Sequence, residues 1–204
     1  MAPFIIIILT SYLIGSISFS IIISKRVAGI DVREKGSGNA GTTNVLRSVG
    51  KGAAGLTLLG DVSKGVVAIL LAMLAGVIWK DVDVLTLKYL AGFVAIVGHT
   101  YPVFFGFKGG KGVATALGVL LMLNWKVGLI CLIFAIVIIA VTRMVSVGSL
   151  LAAILFPILI IFIETEKNFG MLLVSILIAL LVIFNHRSNI KRIKEGNENK
   201  LSFK

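Results

Sequence analysis

FIIIILTSYLIGSISFSIIISKR, residues 4–26, decides the fold class. From Phe4 to Ser24 there is no charge, and the run then meets Lys25 and Arg26. A membrane-crossing helix needs about 20 apolar residues, which this run supplies. A secretory leader carries its positive charge before the apolar stretch. Here no basic residue precedes Lys25, so the run reads as an uncleaved first span with its N-terminus outside.

The rest of the chain has the same character. Of 204 residues, 58% are hydrophobic and 14% charged. Mean hydropathy is +1.07. Soluble domains run at about 45–50% apolar and about 25% charged. The composition excludes a disordered chain and argues against a soluble enzyme. Cys131 is the single cysteine, so neither a disulfide framework nor a cysteine metal site is available.

Counting apolar segments gives an all-α integral membrane protein with seven transmembrane helices, over about 4–24, 53–79, 84–105, 113–125, 127–142, 147–163 and 168–185. The fourth is short, and a partly re-entrant segment is an alternative. This places the N-terminus outside, the C-terminus in the cytoplasm, and the whole chain, 1–204, in one polytopic domain.

The net charge of +11 has two readings, nucleic acid or membrane topology. In the seven-span arrangement only Lys80, Lys88, Lys126 and Lys167 of the 20 basic residues lie outside. Four of the nine acids also lie outside, so the whole net charge falls on the inner face. That distribution follows the positive-inside rule and removes the need for nucleic acid. Part of the basic tail also suits anionic lipid headgroups.

Three stretches on the inner face carry chemistry. The first is GSGNAGTTNVLR, residues 36–47. Glycine lets the backbone approach a ligand closely. Ser37, Asn39, Thr42, Thr43 and Asn44 add small polar groups, and Arg47 can grip phosphate or carboxylate with two N–H groups. Together they suit an anion cradle, which the whole stretch favours over an ordinary Gly/Asn turn between spans. No Walker A loop is present.

The second is GHTYPVFFGFKGGKGVATALG, residues 98–118. Gly109, Gly110, Lys111 and Gly112 precede a helix expected near Val113, whose N-terminus attracts anions. Phe104, Phe105 and Phe107 suit lipid or an acyl chain. A positive-inside loop with interfacial aromatics is the competing reading, and His99 at a span end also suits simple packing.

The third is HRSNIKRIKEGNE, residues 186–198. His186, Asn189 and Arg192 recur every three residues, so on a helix they share a face. Glu198 can accept a charged hydrogen bond and brace them. A snorkelling basic collar after the last span is the alternative. Two smaller features complete the set. Asp61 and Lys64 stand at i, i+3 inside a span, where pairing accounts for them. Arg143, Ser146 and Ser149 fall in the short loop expected between spans five and six. No group of acids suits a metal, so no metal or other cofactor is expected.

In order and spacing these stretches resemble the bacterial acyl-phosphate:glycerol-3-phosphate acyltransferases, the PlsY-type membrane family. The first matches GSGNxGxTNxxR, the second GHxxPxxxxFKGGKGVAT and the third HxxNIxRxxxGxE. DxxKG at Asp61, Lys64 and Gly65, and RxxSxGS at Arg143, Ser146, Gly148 and Ser149, also look like the family. The HxxxxD dyad of other glycerol-phosphate acyltransferases is absent, because Phe104 follows His99 by five and Lys191 follows His186 by five.

The resemblance implies seven spans with the site on the cytoplasmic face of the bacterial inner membrane. It implies acyl transfer from acyl phosphate to the 1-hydroxyl of sn-glycerol 3-phosphate, giving lysophosphatidate and inorganic phosphate. A soluble phosphate acyltransferase would supply the donor. Arg47, Lys111, His186 and Asn189, with Ser146 or Ser149, are then expected on the substrate phosphates. Ser37, Thr43, Gly109, Gly110 and Gly112 are expected to cradle phosphate. Gly38, Asn39, Asn44, Lys64, His99, Arg192 and Glu198 complete the expected substrate-binding set. The base is either His186 or a substrate phosphate oxygen. A small transporter of phosphorylated metabolites is the competing function. The apolar span centres and short outside loops argue against it.

Overall fold

The structure is a computed structural model and describes residues 1–163 and 169–201. Lys167, Lys204, the acids at 164 and 166, and the first residue of the 168–185 segment lie outside the described residues. Among the described residues the fold is all helical: α1 (Ala2–Gly15), α2 (Phe19–Ala28), α3 (Thr42–Ser48), α4 (Lys51–Ile78), α5 (Val84–Thr100), α6 (Val113–Leu123), α7 (Trp125–Thr142), α8 (Val145–Ile163), α9 (Phe169–Asn185) and α10 (Arg187–Lys194).

Among the described residues, five stretches are long and apolar enough to cross a membrane: Ala2–Ala28, Lys51–Ile78, Val84–Phe105, Trp125–Thr142 and Val145–Ile163. A sixth is present if α9 and α10, bent by 59°, are taken as one span. Helix α6 has 11 residues. At 1.5 Å per residue it reaches about 16 Å, against a hydrocarbon core of about 30 Å. Large side chains such as Leu59, Val77, Val141 and Phe162 are exposed on the long helices. Apolar exposure on this scale is a lipid-facing surface, not a wetted one.

The chain forms two compact units, Met1–Leu123 and Asn124–Lys204. In the first, α4 buries Ala53, Thr57, Asp61, Lys64, Gly65, Ala68, Ala72 and Ala75 along one stripe. The spacing of three and four residues is that of one helical face, and small residues on it let neighbouring backbones come close. Two helix pairs use reciprocal glycines. A Cβ on Gly65 would strike the Thr115 carbonyl of α6, and one on Gly118 would strike the Val62 carbonyl of α4. Gly15 and Gly98 meet the Ala95 and Tyr12 carbonyls in the same way between α1 and α5.

The first apolar segment is not one continuous helix. It breaks at Ser16–Ser18, between α1 and α2. The break is held from outside the segment. Lys64 Nζ donates to the Ile17 carbonyl at 2.9 Å, and Val103 N–H donates to Ser16 Oγ at 3.3 Å. A carbonyl freed inside a span requires such a partner.

In the second unit α7 packs on α8 and α8 on α9. Asn124 starts α7 by accepting from the Val127 N–H at 3.1 Å, so the segment expected over 113–125 ends as a helix at Leu123. Arg143 turns the chain between α7 and α8 with φ 60. Ser146 and Ser149 therefore lie in the first turns of α8, not in a loop. Leu201 N–H donates to the Arg143 carbonyl at 2.7 Å and brings the tail back to this turn.

Candidate active site

In the first unit the glycine-rich segment after α2 is built around Asn44. This side chain is 2% exposed. Its Nδ2 lies 2.8 Å from the Val32 carbonyl and 3.0 Å from those of Lys35 and Asn39. Its Oδ1 accepts from the Ser37 N–H at 3.0 Å. Asn44 thus fixes the loop that presents Ser37, Gly38 and Asn39. Gly36 has φ 56, and a Cβ there would strike Asn44 Oδ1. Both facts require glycine at that position. Thr43 is half-buried and Arg47 exposed, both on α3.

Arg33 ties this loop to the second one. Its Nε and second guanidinium nitrogen donate to the two Asp31 oxygens at 3.0 and 2.8 Å, and its remaining nitrogen donates to the Phe105 carbonyl at 2.8 Å. The Arg33 hydrogen bond holds the Asp31 carboxyl well below the usual carboxylate range. Arg33 lies outside the three stretches that carry chemistry in the sequence. The signal was present as Asp31 two residues earlier, a spacing that lets the acid cap the turn Val32–Glu34.

The second loop rests on a buried charged group. Asp61 Oδ1 lies 2.9 Å from Lys64 Nζ and 3.4 Å from His99 Nδ1. All three residues are buried. A Cβ on Gly110 would strike His99 Nε2 and approach the Ala40 carbonyl, so Gly110 closes directly onto the histidine and the first loop. Gly109 N–H donates to the Thr100 carbonyl and Gly110 N–H to the His99 carbonyl, each at 3.1 Å. These two amides anchor the loop to the end of α5. They are therefore committed, which alters the cradle expected of residues 109–112. The amides of the first turn of α6, which a helix leaves without internal partners, are the remaining donors. Lys111 is half-buried beside them, and Gly112 has φ 87.

In the second unit Glu198 gathers three side chains. Its Oε1 accepts from Asn189 Nδ2 at 2.7 Å and from Ser146 Oγ at 2.9 Å. Its Oε2 accepts from Arg192 Nε at 2.9 Å. Burial raises the Glu198 pKa, but the hydrogen bonds from Asn189, Ser146 and Arg192 outweigh it and hold the carboxyl below its ordinary value. Ser149 Oγ donates to the Val145 carbonyl at 2.9 Å. His186 is buried at the bend between α9 and α10. Its Nδ1 lies 2.8 Å from the Val182 carbonyl, an atom that can only accept. That contact places a proton on Nδ1, so a neutral ring keeps its lone pair on Nε2.

Among the described residues no group of three or more His, Cys, Asp or Glu is placed to hold a metal. Carboxylates Asp31, Asp61 and Glu198 are paired with neighbouring donors, and the cations, amides and hydroxyls around them, on loops and short helices next to the apolar helices, suit anionic ligands.

Helices of this kind define an integral membrane protein. The family model described as "Glycerol-3-phosphate acyltransferase" matches residues 5–196. The chain belongs to this family and is an acyltransferase. A relative from Clostridioides difficile (strain 630), called glycerol-3-phosphate acyltransferase, is 46% identical over 98% of this chain and 97% of its own length. One of the same name from Shouchella clausii is 49% identical over 72% of this chain and 69% of the relative. The fold is that of the crystal structure of PlsY (YgiH), an integral membrane glycerol 3-phosphate acyltransferase, in its glycerol 3-phosphate form. The TM-score is 0.89 at 36% identity, over 98% of this chain and 96% of that one. The lysophosphatidic acid form gives 0.86 at 35%, over 98% and 95%.

Proposed function

We propose that this acyltransferase acylates glycerol 3-phosphate, taking the acyl group from acyl phosphate and placing it on the 1-hydroxyl. The products are lysophosphatidate and inorganic phosphate, in a bacterial cytoplasmic membrane. The observation that carries the reading is the likeness, at TM-score 0.89, to a protein solved with glycerol 3-phosphate, combined with this chain's own anion-binding groups. A soluble phosphate acyltransferase would supply the donor.

We also propose that residues 1–204 work as one domain with seven crossings, N-terminus outside. The tail and the three motifs then share the cytoplasmic face. The concentration of basic residues on that face supports this arrangement.

The two substrates bring two phosphates together, which is repulsive where the dielectric is low. Arg47 and Lys111 offset that repulsion. His186, Asn189 and Ser146 or Ser149 bind phosphate oxygens, with Glu198 orienting Asn189 and Ser146. Ser37, Thr43 and the amides at the start of α6 cradle phosphate. Lys64 and His99 act through the loop they support, not on the substrate. The acyl chain stays in lipid or between helices.

Acyl phosphate is already activated, and phosphate leaves well. The hydroxyl oxygen attacks the acyl carbon, the C–O bond to phosphate breaks, and the hydroxyl proton passes to His186 Nε2 or to a phosphate oxygen. No covalent enzyme intermediate is needed; positioning and charge stabilisation supply the rate. His186→Gln decides between the bases. Full activity excludes the histidine as an essential base. A change in the pH–rate profile at unchanged glycerol 3-phosphate KM supports it. Turnover is expected to survive EDTA, and its abolition with restoration by Mg²⁺ would contradict the metal-free scheme.

A further inference from the structure

Helix α10 carries two opposite faces. At 100° per residue, Asn189 and Arg192 fall on one side, and both donate to Glu198 at 2.7 and 2.9 Å. Arg187, Lys191 and Lys194, at i, i+4 and i+7, fall within one narrow stripe on the other. All three are exposed. Neighbours at this spacing lie about 5–6 Å apart, and like charges there repel. The compensation around the stripe is slight. Lys191 Nζ lies 3.9 Å from Glu195 Oε1, with its side chain 78% exposed. Arg187 sits 4.8 Å from the Phe184 ring and donates to the Phe184 carbonyl at 3.3 Å. Among the described residues, then, this cationic face is largely unneutralised.

The bend gives that face its partner. Helix α10 departs from the axis of α9 by 59°. In the proposed seven-span arrangement α9 alone is the last crossing, and α10, leaving it at this angle, runs nearer the plane of the bilayer than its normal. Arg187 then marks the point where the chain leaves the apolar segment, and Lys191 and Lys194 extend along the surface. Anionic phospholipid headgroups complement a cationic stripe at that depth.

We infer that the Arg187–Lys191–Lys194 stripe of α10 is a binding surface for the anionic headgroups of the surrounding bilayer. Headgroups on this outer stripe load the same short helix that carries Asn189 and Arg192 on its inner side. The lipid contact stands on the charge pattern of α10 and its bend from α9. Its consequence for turnover rests on the acyltransferase reading above.

The test uses the full chain in vesicles. Cys131 is buried, so Ser188→Cys, exposed on α10, offers the reactive thiol for a fluorophore. The probes are phosphatidylcholine vesicles with and without phosphatidylglycerol, each bearing a headgroup quencher. Each cation near such a surface contributes about a five-fold change in partition. The label should be quenched several-fold more with phosphatidylglycerol, and less at high salt. R187Q/K191Q/K194Q should abolish the difference while leaving the rate in phosphatidylcholine unchanged. In the native protein phosphatidylglycerol should raise that rate. Equal quenching in the two vesicle types, or an undiminished difference in the triple variant, would overturn the inference. A folded protein without turnover in any vesicle would instead count against the acyltransferase reading, and the label would still decide the lipid contact.

Discussion

Asn44 commits its whole side chain to the loop that contains it. Four backbone groups, from Val32, Lys35, Ser37 and Asn39, depend on it. Asn44→Ala should cost about 1–3 kcal/mol of stability, since the Ser37 N–H loses its acceptor while the Val32, Lys35 and Asn39 carbonyls each keep a backbone donor. Thermal unfolding in detergent measures this, and an unchanged Tm would count against the loop architecture. Asp31 makes a pH-dependent contribution. Its carboxyl is held below the ordinary range chiefly by Arg33, so the bond stabilises the fold above the ordinary carboxylate pKa and is lost as pH falls through the lowered one. Asp31→Asn should lower Tm at neutral pH, and the gap to the native protein should close in acid. A gap that widens in acid would reverse the assignment. At this scale the sequence showed which residues cluster but not what each one does. Asn44 reads as a ligand in GSGNAGTTNVLR because its acceptors are backbone carbonyls, which no side-chain pattern reveals. The commitment of the Gly109 and Gly110 amides was hidden for the same reason.

Helix contacts in the first unit are set by where a Cβ can be tolerated. Gly118 faces the Val62 carbonyl, whereas Gly52 of α4 faces open space. Gly118→Ala should destabilise by about 1–3 kcal/mol through overpacking. Gly52→Ala should be neutral or stabilise by up to about 1 kcal/mol, because alanine favours the helix. Equal effects in detergent unfolding would refute the close α4–α6 approach. The helices themselves were legible from apolar runs, and the Asn124 and Asp83 caps mark the starts of α7 and α5. The break between α1 and α2 was not. Its local sequence, Ser16-Ile17-Ser18, is compatible with a helix, and the groups that hold it open come from Lys64 and Val103. Ser146 and Ser149 were misplaced into a loop because Arg143 turns the chain within two residues.

Over the whole molecule, membrane character was plain from composition, and the proposed seven-span arrangement would put the whole net charge on one face. The number of crossings depends on two elements that length alone leaves undecided: the 11-residue α6 and the bent pair of α9 and α10. The seven-span arrangement predicts that Ser188→Cys is labelled only from the cytoplasmic side of oriented vesicles. Labelling from the outside would remove the tail from the first two motifs and with it the proposed shared site. The most direct measurement of the central claim is turnover by detergent-purified protein with labelled glycerol 3-phosphate. Palmitoyl phosphate, palmitoyl-CoA and palmitoyl carrier protein are offered separately. The account predicts lysophosphatidate from palmitoyl phosphate alone, one phosphate released per product, and a weakened rate in Lys111→Ala. Turnover with either thioester in place of palmitoyl phosphate, or none with any donor in a folded, lipid-supplied preparation, would contradict it.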